Sequence, residues 1–273
     1  MALTGSEIVL SHDQVTLYHE RGYLVIPGLL ARAEIDELSH TFDALHDQGS
    51  IPGCFTIGTP EEIAKDPLKL YPRMMHPHRV NDVARRYMID RRLMDILAIL
   101  MAEEPLAAQS MFYWKPPKAR GQALHQDNFY LRVYPGTCLA AWIPLDDTDE
   151  ENGCLMVAPG SHRLDIFCPE EADPTVSFTR HFVPVPKGLA EVPVRLKAGD
   201  ALFFGGNLIH GSYPNHSEDR FRRSFICHYI GAASEEVARF YKPLYRRDGS
   251  EVTITDASKE GGPCGGPEAM GPH

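Results

Sequence analysis

Two residues apart, His125 and Asp127 stand in the segment Leu124-His125-Gln126-Asp127-Asn128-Phe129-Tyr130. On an extended segment, side chains at i and i+2 point to the same face, so the two are expected to meet at one point. A further histidine, His210, follows the apolar run Ala201–Phe204 among glycines that permit close backbone approach. Two imidazoles and one carboxylate make a facial set that holds Fe(II) and leaves three positions open. That openness suits oxygen chemistry, with two positions for a chelating 2-oxo acid and one for O2. Alone, a His-x-Asp pair in a chain with 13 histidines reads as a histidine beside a turn aspartate. Its company decides.

That company is Arg222, in Asp219-Arg220-Phe221-Arg222-Arg223-Ser224. A dicarboxylate that chelates metal at one end leaves a carboxylate at the other, and a guanidinium fork is its natural counter-group. Arg222 and Ser224 are expected on one strand face, opposite Arg223 and Phe225. A solvated basic edge stays open for Arg220 and Arg223. Gln109, Met111 and Tyr113 alternate along another strand and are candidates to face a cosubstrate, with core packing equally open for Met111. His162, in Pro159-Gly160-Ser161-His162, reads as turn structure. Asp146-Asp147 and Glu150-Glu151 read as solvated loop charges. Met74-Met75-His76-Pro77-His78-Arg79 is a candidate substrate entrance, although the intervening proline argues against a metal at His76 and His78.

The elements that must position these residues fall into two textures. The first third reads helical. Ser11 and Gln14 form a capping box, Gly22 stops the helix, and a strand is expected over Tyr23–Ile26. Helices are expected over about Ala33–Leu45 and Arg91–Met101, and after the cap Thr59-Pro60. From about Ala107, the short apolar runs Gln109–Trp114, Cys138–Ile143, Leu155–Val157, Ala201–Phe204 and Arg222–Ile230 alternate with turn residues. That rhythm predicts an antiparallel sandwich or barrel. Pro169–Pro193 is expected to loop over the sheet. A single domain over residues 1–255 is expected, with a helical part at about 11–105 and a β core at about 106–232. The glycine-rich residues 256–273 read as a disordered tail.

Composition narrows the classes. The chain has 273 residues, 43% apolar and 23% charged, with 27 basic and 37 acidic side chains and a formal charge of −10. Nucleic acid is therefore not an expected partner. No run approaches the roughly 18 apolar residues that span a bilayer. Met1–Leu10 lacks a secretory pattern, and the six scattered cysteines read as reduced thiols, which points to a cytoplasmic protein with a small-molecule substrate. The oligomeric state is left open.

The ordered set His125-Gln126-Asp127, Ala141-Trp142, Glu151-Asn152-Gly153-Cys154-Leu155, Pro159-Gly160-Ser161-His162, His210-Gly211-Ser212, Asn215 and Arg222 resembles the phytanoyl-CoA dioxygenase family, over about Tyr18 to Ile230. The resemblance implies a mainly β fold with flanking helices, a double-stranded β-helix (jelly roll, cupin-like). It implies Fe(II) held by His125, Asp127 and His210, with 2-oxoglutarate and O2 as cosubstrates. It assigns Arg222 to the distal carboxylate, Ser212 to its support and Trp142 to the pocket wall. Phe221-Arg222 and Cys227-His228 favour Arg222 over its neighbours. Halogenating relatives carry a small residue where Asp127 stands. Hydroxylation of a small metabolite, releasing succinate and CO2, is therefore expected. An acyl-CoA substrate is the alternative, but no basic cluster suited to CoA phosphates and no peroxisomal C-terminal tripeptide is seen. Two rivals lie outside the family. A zinc hydrolase or isomerase would leave Arg222 and Ser212 unexplained, and a non-catalytic binding jelly roll would be expected to have lost a ligand.

Overall fold

Ser11 caps the first helix, His12–Arg21, and Gln14 reciprocates, so the expected capping box closes two backbone donors at once. Gly22 ends that helix at φ 83°, and a Cβ there would overlap the His162 ring. The chain then enters the strand Tyr23–Ile26. The computed structural model describes residues 9–258 and Cys264. Further helices run over Arg32–Asp47, Pro60–Lys65, Asp82–Met88 and Arg91–Met101. All were expected except Asp82–Met88, whose cap Asn81 comes one residue after the Met74–Arg79 segment.

Most strands fall into two antiparallel sheets, beside two small two-stranded ones. The larger runs Tyr23–Ile26, Ala201–Gly205, Leu139–Pro144, Arg222–Gly231, Pro105–Lys115, Leu244–Tyr245, Glu251–Val252, with Met74–Met75 also pairing to Pro105–Lys115. The smaller runs Gln122–His125, His210–Ser212, Leu155–Val157, Val192–Val194. Their apposition gives the jelly roll, not a closed barrel.

Strand alternation decides which residues face which layer. On Pro105–Lys115, Phe112 and Trp114 pack outward with Leu38, Phe42 and Leu97 of the helices. Met111 and Tyr113 point inward with Trp142, Leu155, Phe204 and Ile226, between the sheets. The helices thus cover one face of the large sheet, and the small sheet covers the other.

Three sequence readings change. Cys168 and Cys264 form a disulfide, so the expectation of six reduced thiols is corrected for that pair, while Cys54, Cys138, Cys154 and Cys227 are buried and free. Asp256 still belongs to a strand, Thr255–Asp256, paired in parallel with Glu236–Val237. Ala257, which donates to the Val237 carbonyl, Ser258 and Cys264 are also described; the rest of the expected disordered tail lies outside the described residues, as does most of the N-terminal segment searched for a signal. His76 and His78 do not form an entrance. Both are buried behind the large sheet, His78 against the Ser110 hydroxyl at 2.7 Å. Burial holds them as neutral imidazoles, pulling His76 down to about 3 and His78 to about 2. Among the described residues, no helix is long and apolar enough to cross a membrane.

Candidate active site

His125 ends the strand Gln122–His125, and His210 opens its neighbour His210–Ser212; the two are register partners. Their rings lie 4.3 Å apart between centroids. This contact needs the strands close together, and Gly211 allows it, since a Cβ there would come within 2.7 Å of the Gln122 carbonyl. Asp127 arrives differently from the extended geometry expected. After Gln126 the chain turns into the short helix Asn128–Leu131, and Asp127 stands at its N-cap with φ −63° and ψ −36°. The turn, not strand alternation, carries the carboxylate to the imidazoles.

The donor set fits a divalent metal. Asp127 Oδ1 lies 3.4 Å from His125 Nε2 and 3.6 Å from His210 Nε2, and one ligand atom from each residue falls within 4.8 Å of the others. His125 Nδ1 lies 2.8 Å from the Ala123 carbonyl, and His210 Nδ1 2.9 Å from that of Leu208. Protons on both Nδ1 atoms satisfy those carbonyls and leave each Nε2 lone pair facing the metal position. The Gln122 side-chain amide, 3.2 Å from His125 Nε2, donates to the same lone pair. All three ligands are buried.

A fourth residue shapes this set and was not read from the sequence as part of it. His228 Nε2 lies 3.1 Å from Asp127 Oδ2, and each side chain is 1% exposed. Holding Oδ2 from behind leaves Oδ1 turned toward the two imidazoles. The available signal was parity, because residues 222, 224, 226 and 228 share one face of the strand Arg222–Gly231.

At the other end of the pocket the three arginines differ in their partners. Arg220 pairs with Asp149 and Glu151, and Arg223 with Asp146. Arg222 is buried, donates to the Gly153 carbonyl and the Ser224 hydroxyl, and has no carboxylate in ion-pair range among the described residues. Burial pulls it down to about 10, so it stays charged at neutral pH. The guanidinium stands over Trp142 at 5.4 Å. Beside it, as register partner, is Lys115, also buried. Burial, reinforced by the Arg222 charge, pushes the Lys115 ammonium well below its usual value. It reaches the Ser212 hydroxyl at 2.7 Å and the Tyr213 carbonyl at 2.5 Å, tying Ser212 to the cationic end.

Met111 and Trp142 line the pocket between these ends with Phe204 and Ile226, and Tyr113 joins them. Gln109 lies outside it. Its side chain is fully buried opposite His228 on the neighbouring strand, and neither amide atom finds a hydrogen-bond partner among the described residues. His162 bonds the His19 carbonyl at 3.1 Å, a purely structural contact. The pocket therefore has a metal-binding end, a buried guanidinium lacking an internal counter-charge, and apolar walls between.

The phytanoyl-CoA dioxygenase family model matches residues 18–224. The chain belongs to that family. It is 27% identical over 266 residues to a phytanoyl-CoA dioxygenase from Arabidopsis thaliana, spanning 84% of this chain and 91% of that one. Among solved structures it resembles the epimerase SnoN in complex with Fe3+, alpha-ketoglutarate and nogalamycin RO, at 25% identity and a TM-score of 0.63, over 82% of this chain and 84% of the other. It shares the fold of the carbocyclase SnoK from nogalamycin biosynthesis, with a TM-score of 0.65, 23% identity, and 83% and 86% of the two chains covered. Family membership and the donor set together make this chain an oxygenase that works with iron and 2-oxoglutarate.

Proposed function

We propose that the chain hydroxylates an unactivated carbon of a small metabolite, consuming 2-oxoglutarate and O2 and releasing succinate and CO2. The observation that carries this reading is the retained Asp127, whose carboxylate is aimed at the two imidazoles. With it in place, the third protein ligand position is filled and none is left for a halide. Fe(II) with 2-oxoglutarate and O2 supplies the oxidising power for hydrogen abstraction from carbon.

The chain's own residues do the rest. His125, Asp127 and His210 hold the metal, and His228 fixes which carboxylate oxygen faces it. Arg222 receives the distal carboxylate of 2-oxoglutarate, with Lys115 and Ser212 keeping that end polar and ordered. A carboxylate arriving there meets a guanidinium already stripped of water, whose desolvation cost was met in folding. Met111, Trp142, Phe204 and Ile226 exclude water from the reacting carbon.

An acyl-CoA thioester, the substrate class in the name of the Arabidopsis relative, is the alternative substrate. Epimerisation and ring closure, the activities named for SnoN and SnoK, are the alternative outcomes. Candidate metabolites and acyl-CoA esters would be screened for stimulated succinate release, and the product then made under 18O2. A product carrying one 18O supports hydroxylation. A changed product without the label contradicts it.

A further inference from the structure

Resting on the same reading of the site, the structure points to the kind of substrate it takes. We propose that Arg73 is the substrate handle, and that the substrate is a small acid whose carboxylate or phosphate sits on this guanidinium. Arg73 precedes the strand Met74–Met75 and is half-buried. Its guanidinium carbon lies 5.8 Å from the centre of the Tyr113 ring and 5.5 Å from that of Phe178. It also donates to the Tyr113 hydroxyl at 3.3 Å. Two rings and a hydroxyl therefore hold the group in place. Among the described residues, no carboxylate lies within ion-pair range of it.

Its setting is a cavity of about 240 Å³ against the iron pocket, and Tyr113 lines both. The Tyr113 hydroxyl donates in turn to Met111 Sδ at 3.8 Å, and Met111 is part of the iron-pocket wall. The handle is thus close to the reacting centre, as suits a small acid better than the remote phosphates of a long thioester.

The charge balance is the opposite of the whole chain's. Lys69, Arg73, Lys115 and Arg120 line the cavity with one acid, Asp66, which Arg120 already engages. Burial drives Lys115 toward the neutral form. Among the described residues, Lys69 and Arg73 have no ion-pair partner, in a chain of formal charge −10. The basic cluster that the linear sequence did not reveal is assembled from residues 69–73, 115 and 120. A guanidinium can present its N–H edge to an anion and form two parallel hydrogen bonds.

The test titrates phenylacetate, phenyl phosphate and neutral phenylacetamide into the anaerobic protein saturated with Fe(II) and 2-oxoglutarate. Trp114, on the cavity wall, reports binding by fluorescence. Wild type, Arg73→Met and Arg73→Lys are compared. The visible band of the Fe(II)–2-oxoglutarate complex serves as a control for folding and loading. One or both anions are expected to bind about ten-fold tighter than the amide in wild type. The tighter anion names the group. Arg73→Met is expected to abolish the preference and Arg73→Lys to keep part of it, with the band and its 2-oxoglutarate requirement unchanged. Equal binding of all three probes to wild type, or a preference that survives in Arg73→Met, overturns the proposal. So does a several-fold rise in 2-oxoglutarate requirement in Arg73→Met, which would assign the arginine to the cosubstrate. Absence of the band in wild type is a separate result, and it would refute the oxygenase reading itself.

Discussion

The two faces of the strand Arg222–Gly231 carry different kinds of residue. Inward, Arg222, Ser224, Ile226 and His228 meet the pocket or its supports. Outward, Phe225, Cys227 and Tyr229 pack into the helical layer, and Tyr229 bonds the Met88 carbonyl at 2.7 Å. Arg223, also outward, is neutralised by Asp146, whereas Arg222 next to it has no such partner. One pleated strand therefore separates chemistry from stability by a single residue's shift in position. Substitutions on the outer face should act on folding, and those on the inner face on ligands.

Phe225→Ala should produce the largest effect, a loss of about 3–5 kcal/mol of stability, since its ring is wholly buried beside Phe42. Denaturant titration measures it, and the 2-oxoglutarate requirement of the folded fraction should not move. Arg222→Met should do the reverse. Losing charged hydrogen bonds worth about 1.5–3 kcal/mol raises the half-saturating 2-oxoglutarate by roughly ten- to a hundred-fold. Removing a buried, uncompensated charge should also raise Tm when no cosubstrate is present. A fall in that Tm would show that Arg222 is structural like its outward neighbours.

His228→Leu tests the inner face one step from the metal. Metal affinity, followed by competition with a chelator, should drop about ten-fold, and His228→Gln should recover part of it by restoring a donor to Asp127 Oδ2. Unchanged affinity in His228→Leu would remove His228 from the site. The smallest effect is one of pH. His76 and His78 have folded values below the ordinary 6.5, so the unfolded chain binds more protons between their folded values and 6.5. Stability is full above 6.5 and declines as pH falls through that value. From pH 7.5 to 6.0 the loss should be about 1 kcal/mol for each imidazole, and the double variant His76→Gln, His78→Gln should flatten that slope.

Much of this was legible in the linear chain where the controlling physics is local. Ser11 with Gln14, Thr59 with Pro60, and the alternation from Arg222 to Ser224 each involve neighbours, and the elements formed where expected. His125, Asp127 and His210 could be read because metal ligation demands particular residue types. Long-range contacts were less legible. His228 meets Asp127 across 101 positions, and Cys168 meets Cys264 across 96. Lys115 is an ordinary cation in sequence and becomes unusual only once two sheets close over it. Asp127 reaches the two imidazoles by a turn rather than along the extended segment its spacing from His125 suggests. Gln109 shares its strand face with Met111 but sits opposite His228, deeper than the pocket wall.

The most direct test adds Fe(II) and 2-oxoglutarate anaerobically to the apoprotein and records the visible spectrum beside that of His210→Ala. Bidentate chelation of a 2-oxo acid by Fe(II) gives a weak charge-transfer band. The expected result is a band in wild type that is missing in His210→Ala. A wild-type protein shown by metal analysis to hold its ion, yet giving no band on addition of 2-oxoglutarate, would contradict the assignment of this pocket.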